Sequence, residues 1–168
     1  MKQYRWPLLL LALTLLLSGC RPAQPAQPEG TVLWFRTSPD QDHGPALDTQ
    51  PYEGELQPDA LLSALLSGPD QEGLISPFPR GVSLVQCQWD EDRPGVLLVN
   101  LSEQYGALAD ISLSLADYCI VLTLFQVEGV QAVEITAEGH STNYRNHQLL
   151  SDQEALLWDE LADDRKNS

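Results

Sequence analysis

The chain has 168 residues, 43% of them hydrophobic, which is about one domain of sequence with enough apolar side chains for a core. Nine basic against 24 acidic side chains give a formal net charge of −15. That balance excludes nucleic acid and anionic headgroups as electrostatic partners, because both need a basic footprint.

The chain opens on a leader. Lys2 and Arg5 form a positive start, and the apolar run from Trp6 to Leu17 is too short to span a hydrocarbon core of ~30 Å. Leu17, Ser18, Gly19 and Cys20 follow, with small residues ahead of a cysteine. Residues 1–19 are therefore expected to be a bacterial lipoprotein signal peptide, cut between Gly19 and Cys20, with Cys20 carrying the lipid. Left unacylated, the same cut would expose a free thiol with no evident use. Residues 20–30, with Pro22, Pro25 and Pro28, form an extended tether that cannot be helical. Removal of the leader takes Lys2 and Arg5 with it, leaving 7 basic against 24 acidic side chains and a net charge of −17. Contact with the membrane is thus expected through lipid alone, on the extracytoplasmic face of the cell membrane. A multiply acylated cysteine holds firmly where one chain is marginal.

Thr31 to Arg36 is rich in strand formers and is the first folded element. Ser38 to Gly44 reads as a turn, and Leu47 to Glu53 as a short strand interrupted by Pro51. Pro58 to Leu66 is a helix: Pro58 suits the first helical position, Leu61, Leu62, Leu65 and Leu66 form one stripe, and Gly68 with Pro69 stops it. Val82 to Asp90 and Val96 to Leu101 are strands joined by the turn residues Asp92, Arg93, Pro94 and Gly95, as in an antiparallel hairpin. Ser112 to Val127 is apolar on more than one face and long for a strand, so a buried helix is expected there. Val130 to Ala137 forms a last strand, closed by a turn at Glu138, Gly139 and His140. A final helix opens with Ser151 and Glu154 at capping-box spacing and carries Leu156, Leu157, Trp158 and Leu161. The fold class implied is α/β, a two-layer sandwich of a small mixed sheet with helices on one face, plus the C-terminal helix. The uncovered face is expected to carry Gln86, Gln88, Asn100 and Glu134, with Val32 and Trp34 as its apolar part.

Reactive constellations are sparse. Cys87 shares a strand face with Val85 and Trp89, and Cys119 lies in the apolar helix, so both read as core; a bridge between them stays open in an extracytoplasmic protein. Neither has a neighbouring base to make a thiolate. His43, His140 and His147 sit in polar, turn-like segments without metal-ligand spacing. Asp90, Glu91 and Asp92 read as a solvated turn before Pro94 and Gly95. There is no nucleophile motif and no phosphate-binding glycine loop, so no enzyme, metal or cofactor is expected.

Four segments resemble the GerMN domain of the GerM family of sporulation and germination proteins, a unit also found in many bacterial lipoproteins. They are Leu65-Leu66-Ser67-Gly68-Pro69, Gly73 to Gly81, Val99-Asn100-Leu101-Ser102, and Val121 to Leu124 with Gly129 to Val133. The similarity spans residues 31–140, leaving 141–168 as linker, helix and tail. It implies a fold similar to the ring-building motif of envelope-spanning complexes, where small α/β domains associate side by side, and it implies no catalytic residues. The namesake resembles a tandem of two such domains, whereas this chain has one.

The expected function is a structural or assembly module of the cell envelope that binds itself or an envelope protein. The alternative is a monomeric module for cell-wall polymer or another small ligand, with Trp34, Trp89, Trp158 and Tyr144 as stacking faces. Trp34 and Trp89 lie in strands and are expected in the core, which favours assembly. For the leader, Cys20→Ala is expected to abolish incorporation of radiolabelled palmitate and to leave the signal peptide uncut or cut elsewhere. Continued labelling of the variant refutes the assignment.

Overall fold

A computed structural model describes residues 30–40, 45–141 and 149–152. The chain begins with β1 (Val32–Thr37) and β2 (Leu47–Pro51), paired antiparallel with Val32 opposite Pro51 and Arg36 opposite Leu47. After α1 (Pro58–Ser67), the two-residue β3 (Leu74–Ile75) joins the other side of β1 at Arg36 and Thr37. These make a three-stranded sheet in the order β2-β1-β3. A second, mixed sheet starts with the hairpin of β4 (Leu84–Trp89) and β5 (Val96–Leu101). A 3-10 turn (Glu103–Ala107) and α2 (Asp110–Leu124) then cross over to β6 (Ala132–Ala137), which lies parallel to β5. The short β7 (His140–Ser141) and β8 (Leu149–Leu150) both pair antiparallel with β6, at its end and near its start respectively.

Local sequence accounts for these boundaries. Pro58 occupies the first turn of α1, where a missing N–H costs nothing, and Gly68, at φ 91°, ends the helix with its N–H donating to Leu65 O at 3.2 Å. Gly95 closes the β4–β5 hairpin at φ 83°, and its carbonyl accepts from the N–H groups of Gln131 (2.8 Å) and Ala132 (3.2 Å). A Cβ there would lie 2.8 Å from the Gln131 side chain, so both the backbone angle and the space demand glycine. The turn from β6 to β7 places Glu138 and Gly139 both at positive φ, the two-residue geometry whose twist matches a hairpin.

One core serves both sheets. Leu97, Val99 and Leu101 of β5 pair with Val133, Ile135 and Ala137 of β6, and all six point to the helices. Leu33 and Phe35 of the first sheet join the same cluster, with Leu61, Leu62 and Leu65 of α1 and Leu113, Ala116, Ile120, Val121 and Leu124 of α2. Tyr105 of the 3-10 turn is fully buried and donates its hydroxyl hydrogen to Asp117 Oδ1 at 2.7 Å, so a core carboxyl is not left bare.

The α/β class is as expected, with a mixed sheet whose helices lie on one side. The strands are divided between two sheets, because β1 takes its hydrogen bonds from β2, β3 and α2 and none from β5. Val32 and Trp34 consequently lie beside α2 and are not part of the open face with Gln86 and Gln88. Of the segment 47–53, Leu47–Pro51 forms a true strand, while β3 and the 3-10 turn have too few residues for a period to show. The leader, the tether up to residue 29, His43, His147, Tyr144 and the expected C-terminal helix lie outside the described residues. Among the described residues no helix is long and apolar enough to cross a membrane.

Two isoleucines of α2 test this arrangement. Ile120 is fully buried and Ile111 is 73% exposed. Ile120→Ala is expected to lower unfolding stability by ~2–5 kcal/mol, and Ile111→Ala by less than ~0.5 kcal/mol, in urea titrations. Equal losses at both positions would overturn the burial assigned to α2.

Candidate interaction surface

The helices cover one side of the five-stranded sheet, and the other side is built from residues that alternate out of register with the core. Gln86 and Gln88 of β4, Leu98 and Asn100 of β5, and Glu134 and Thr136 of β6 share that side, since Gln86 pairs with Asn100, Gln88 with Leu98 and Leu98 with Glu134. With Gly139 they line a shallow hollow of about 180 Å³. The sequence placed four of these residues here by alternation alone.

Amides dominate the surface. Gln86 Nε2 donates to Gln88 Oε1 at 2.7 Å, and Asn100 Oδ1 accepts from the Gly139 N–H (2.8 Å) and from Thr136 Oγ1 (3.2 Å). Asn100 thereby ties the β6–β7 turn down onto β5.

Glu134 departs from the expectation of an exposed carboxylate: it is 6% exposed. Arg93, in the β4–β5 turn, donates from Nη2 to Glu134 Oε2 at 2.7 Å and also pairs with Asp90. A bare carboxylate at that burial would be costly, and the guanidinium supplies the neutralising charge across a separation of 41 residues. No local pattern in the sequence links these two positions. Asp90 is equally engaged in its own turn, its Oδ1 accepting from the N–H groups of Asp92 (2.9 Å) and Arg93 (3.2 Å). These hydrogen bonds, the Asp92 N–H first, hold the Asp90 carboxyl below its ordinary range despite some desolvation. Its partners Glu134 and then Asp90 push the Arg93 guanidinium above its own.

The two described cysteines are free. Burial, with the charge and hydrogen bond of Asp59 adding to it, pushes the Cys87 thiol up to about 12. Burial raises Cys119 as well, against a small opposing effect of Arg36. Neither supplies a thiolate near neutral pH. Among the described residues no three or more His, Cys, Asp or Glu side chains are grouped to hold a metal ion.

Trp89 and Val85 correct the sequence reading most. Expected in the core, they are 45% and 51% exposed, because β4 is the outermost of the described strands and pairs, among them, only with β5. Trp89 stands over a second hollow of about 170 Å³, lined with Gln57, Pro58, Asp59 and Cys87.

A compact α/β domain with a helix-backed sheet and an open, amide-lined face is therefore the class defined by fold and surface. Residues 31–143, more than half of the chain, match the Germane family of sporulation and spore germination, and the chain belongs to that family. Among solved structures, the first GerMN domain of the sporulation protein GerM from Bacillus subtilis is similar at a TM-score of 0.52 and 15% identity, covering 74% of this chain and 96% of that one. The tandem GerMN domains of the same protein give 0.48 and 21%, covering 80% of this chain and 47% of that one. A candidate lipoprotein from Clostridium perfringens gives 0.49 and 16%, covering 77% and 94%. No curated protein matches.

The Asp90 turn sets a pH dependence. Its native carboxyl titrates below the ordinary Asp value of about 3.8, so its contribution is complete above that value and is lost as pH falls through the native one. Asp90→Asn is expected to lower the urea midpoint at pH 7 and to differ less from the parent at pH 3. A difference that stays constant between the two pH values would refute the assignment.

Proposed function

We propose that the chain is a membrane-anchored extracytoplasmic lipoprotein whose single GerMN-like domain is a non-catalytic assembly module of the cell envelope, acting in sporulation or germination. The observation that carries this reading is the family match over residues 31–143 directly behind a Leu17-Ser18-Gly19-Cys20 box and a proline-rich tether. The surface agrees with it: hydrogen-bonding amides and a buried carboxylate paired with Arg93 suit contact with another polypeptide, and both described thiols are held protonated. Lipid at Cys20 confines the domain to two dimensions, which raises effective concentration and lets a modest interface assemble. A second reading, a monomeric binding module for wall polymer, is favoured by the half-exposed Trp89 above its hollow, since such a ring is a stacking face for a sugar.

Photo-crosslinking in cells separates the two. With a photoreactive residue at Gln88 on the open face, or at Ile111 on the opposite side, the assembly reading predicts a protein adduct of discrete mass in the membrane fraction. No adduct at either position, together with saturable binding of purified wall polymer that Trp89→Ala abolishes, would replace it with the second reading.

A further inference from the structure

We infer that β4 is a self-association edge, on which a second copy of this chain adds its own β4 antiparallel in a register centred on Cys87. This deepens the assembly reading and rests on it.

Three features of the strand lead there. The first is an outer backbone edge that no described strand pairs. Asp90 N–H donates to Val96 O at 3.0 Å, and Gln88–Leu98 and Gln86–Asn100 continue the same register. In an antiparallel ladder hydrogen-bonded positions alternate, so Gln86, Gln88 and Asp90 spend their backbone groups on β5. The N–H and C=O groups of Cys87 and Trp89 then point away from the sheet. An edge of this kind is a template for another strand unless it is blunted by charge, proline or distortion. Leu84–Trp89 contains no charged residue and no proline. Its one distortion, a bulge between Leu84 and Gln86, falls at Val85 and leaves Gln86–Trp89 regular, so the hydrogen-bonded part of the edge is Gln86–Trp89 and Val85 contributes its side chain at the bulge.

The second feature is self-complementarity. Of the large apolar side chains exposed on the described surface, two belong to this one strand, Val85 and Trp89, placed two residues either side of Cys87. Antiparallel pairing centred on Cys87 sets Val85 of each copy opposite Trp89 of the other, a β-branched and aromatic pair made twice. The same register sets Gln86 opposite Gln88, amide against amide. A two-fold interface of this form needs only one patch that matches itself.

The third feature is charge polarity along the strand. The exposed Arg80, which makes no ion pair with the described residues, precedes β4, and Asp90, Glu91 and Asp92 follow it. Antiparallel pairing runs the acidic end of each copy toward the basic end of the other, whereas parallel pairing stacks acid on acid. For a chain of net charge −15, an uncharged strand between opposite ends is a place where two copies approach with little repulsion.

The register itself is testable. Gln86 and Gln88 would form a non-hydrogen-bonded pair with Cα atoms about 4.5 Å apart, within disulfide reach. Gln86 with Gln86, or Gln88 with Gln88, would be diagonal at about 7–8 Å, beyond it. Full-length chains carrying Gln86→Cys and Gln88→Cys, each with Cys87→Ala, are co-expressed in one cell and oxidised in the membrane, Cys20 and Cys119 being common to every arm. The mixed cells are expected to give disulfide dimer several-fold above cells expressing either variant alone. Adding Val85→Lys, a charge at an exposed edge position, is expected to return the yield to that of the single variants. Equal yields in mixed and single arms overturn the inference, as does a disulfide adduct with another protein in place of the dimer. Either result leaves the assembly reading standing if Gln88 or Ile111 still photo-crosslinks to a partner.

Discussion

Two side chains at the C-terminal end of α2, Thr123 in its last turn and Gln126 two residues past the helix, complete the small sheet and fasten it to the rest of the domain. Along β1, the odd positions face β2: Tyr52 N–H donates to Thr31 O at 2.9 Å and Thr37 N–H to Ala46 O at 3.1 Å. The even positions face the other way, and β3 reaches only Arg36 and Thr37. Val32 and Trp34 would be left with unpaired backbone groups at a partly buried edge, a cost comparable to a lost hydrogen bond each. Instead, Gln126 Oε1 accepts from Val32 N–H at 2.8 Å while its Nε2 donates to Val32 O at 2.7 Å, and Thr123 Oγ1 accepts from Trp34 N–H at 3.1 Å. The end of α2 thus finishes the β1 edge as a strand would. Since α2 also fills the core under β5 and β6, the small sheet is tied to the large one through the helix, with no strand shared between them.

The two sheets consequently treat their edges differently. The edge of β1 is closed by the polar side chains of Thr123 and Gln126. Beyond β6, β7 and β8 cover the opposite end of the large sheet in two short pieces, and the β6–β7 turn is fastened by Asn100. Only β4 ends the large sheet with a six-residue strand whose outer side is paired by no described strand. In the same molecule a buried carboxylate is neutralised by an arginine from the adjoining turn, so the open face carries little free charge for all the acidity of the chain. The arrangement concentrates hydrogen-bonding capacity, backbone on the edge and amides on the face, along one side of the large sheet.

Much of this was legible in the sequence, and the failures have physical causes. Strand alternation placed Gln86, Gln88 and Asn100 on the open face, and the leucine stripe with Pro58 and Gly68 bounded α1 within one residue. The 16-residue apolar run was long enough to be read as a buried helix. What alternation cannot show is whether a strand is central or at an edge: Val85, Cys87 and Trp89 share the apolar period of a core strand, yet the rim position leaves two of the three half in water. Nor does a single chain announce that Glu134 will meet Arg93, because the contact is made by strand order and not by spacing. The division into two sheets was hidden for a related reason, since the groups that finish β1 are a threonine in the last turn of α2 and a glutamine just past it, residues that periodicity treats as polar filler.

Acidity and the exposed strand belong to one physical account. A surface of high net negative charge keeps copies of a chain apart in solution, where self-repulsion acts over about a Debye length of 8 Å at physiological ionic strength. It does so least where the approach is made by an uncharged strand with a basic and an acidic end, as in β4. Pairing two short strands adds few hydrogen bonds and two small apolar contacts, each contribution of order 1 kcal/mol at most. So small an interface does not outweigh the freedom two chains lose on association from dilute solution. With the lipid anchor proposed at Cys20, chains would share one membrane plane and much of that loss would already be incurred. A weak, register-specific edge such as the one inferred for β4 would then be sufficient to organise neighbours, with the charge on the remaining surface confining the contact to that edge.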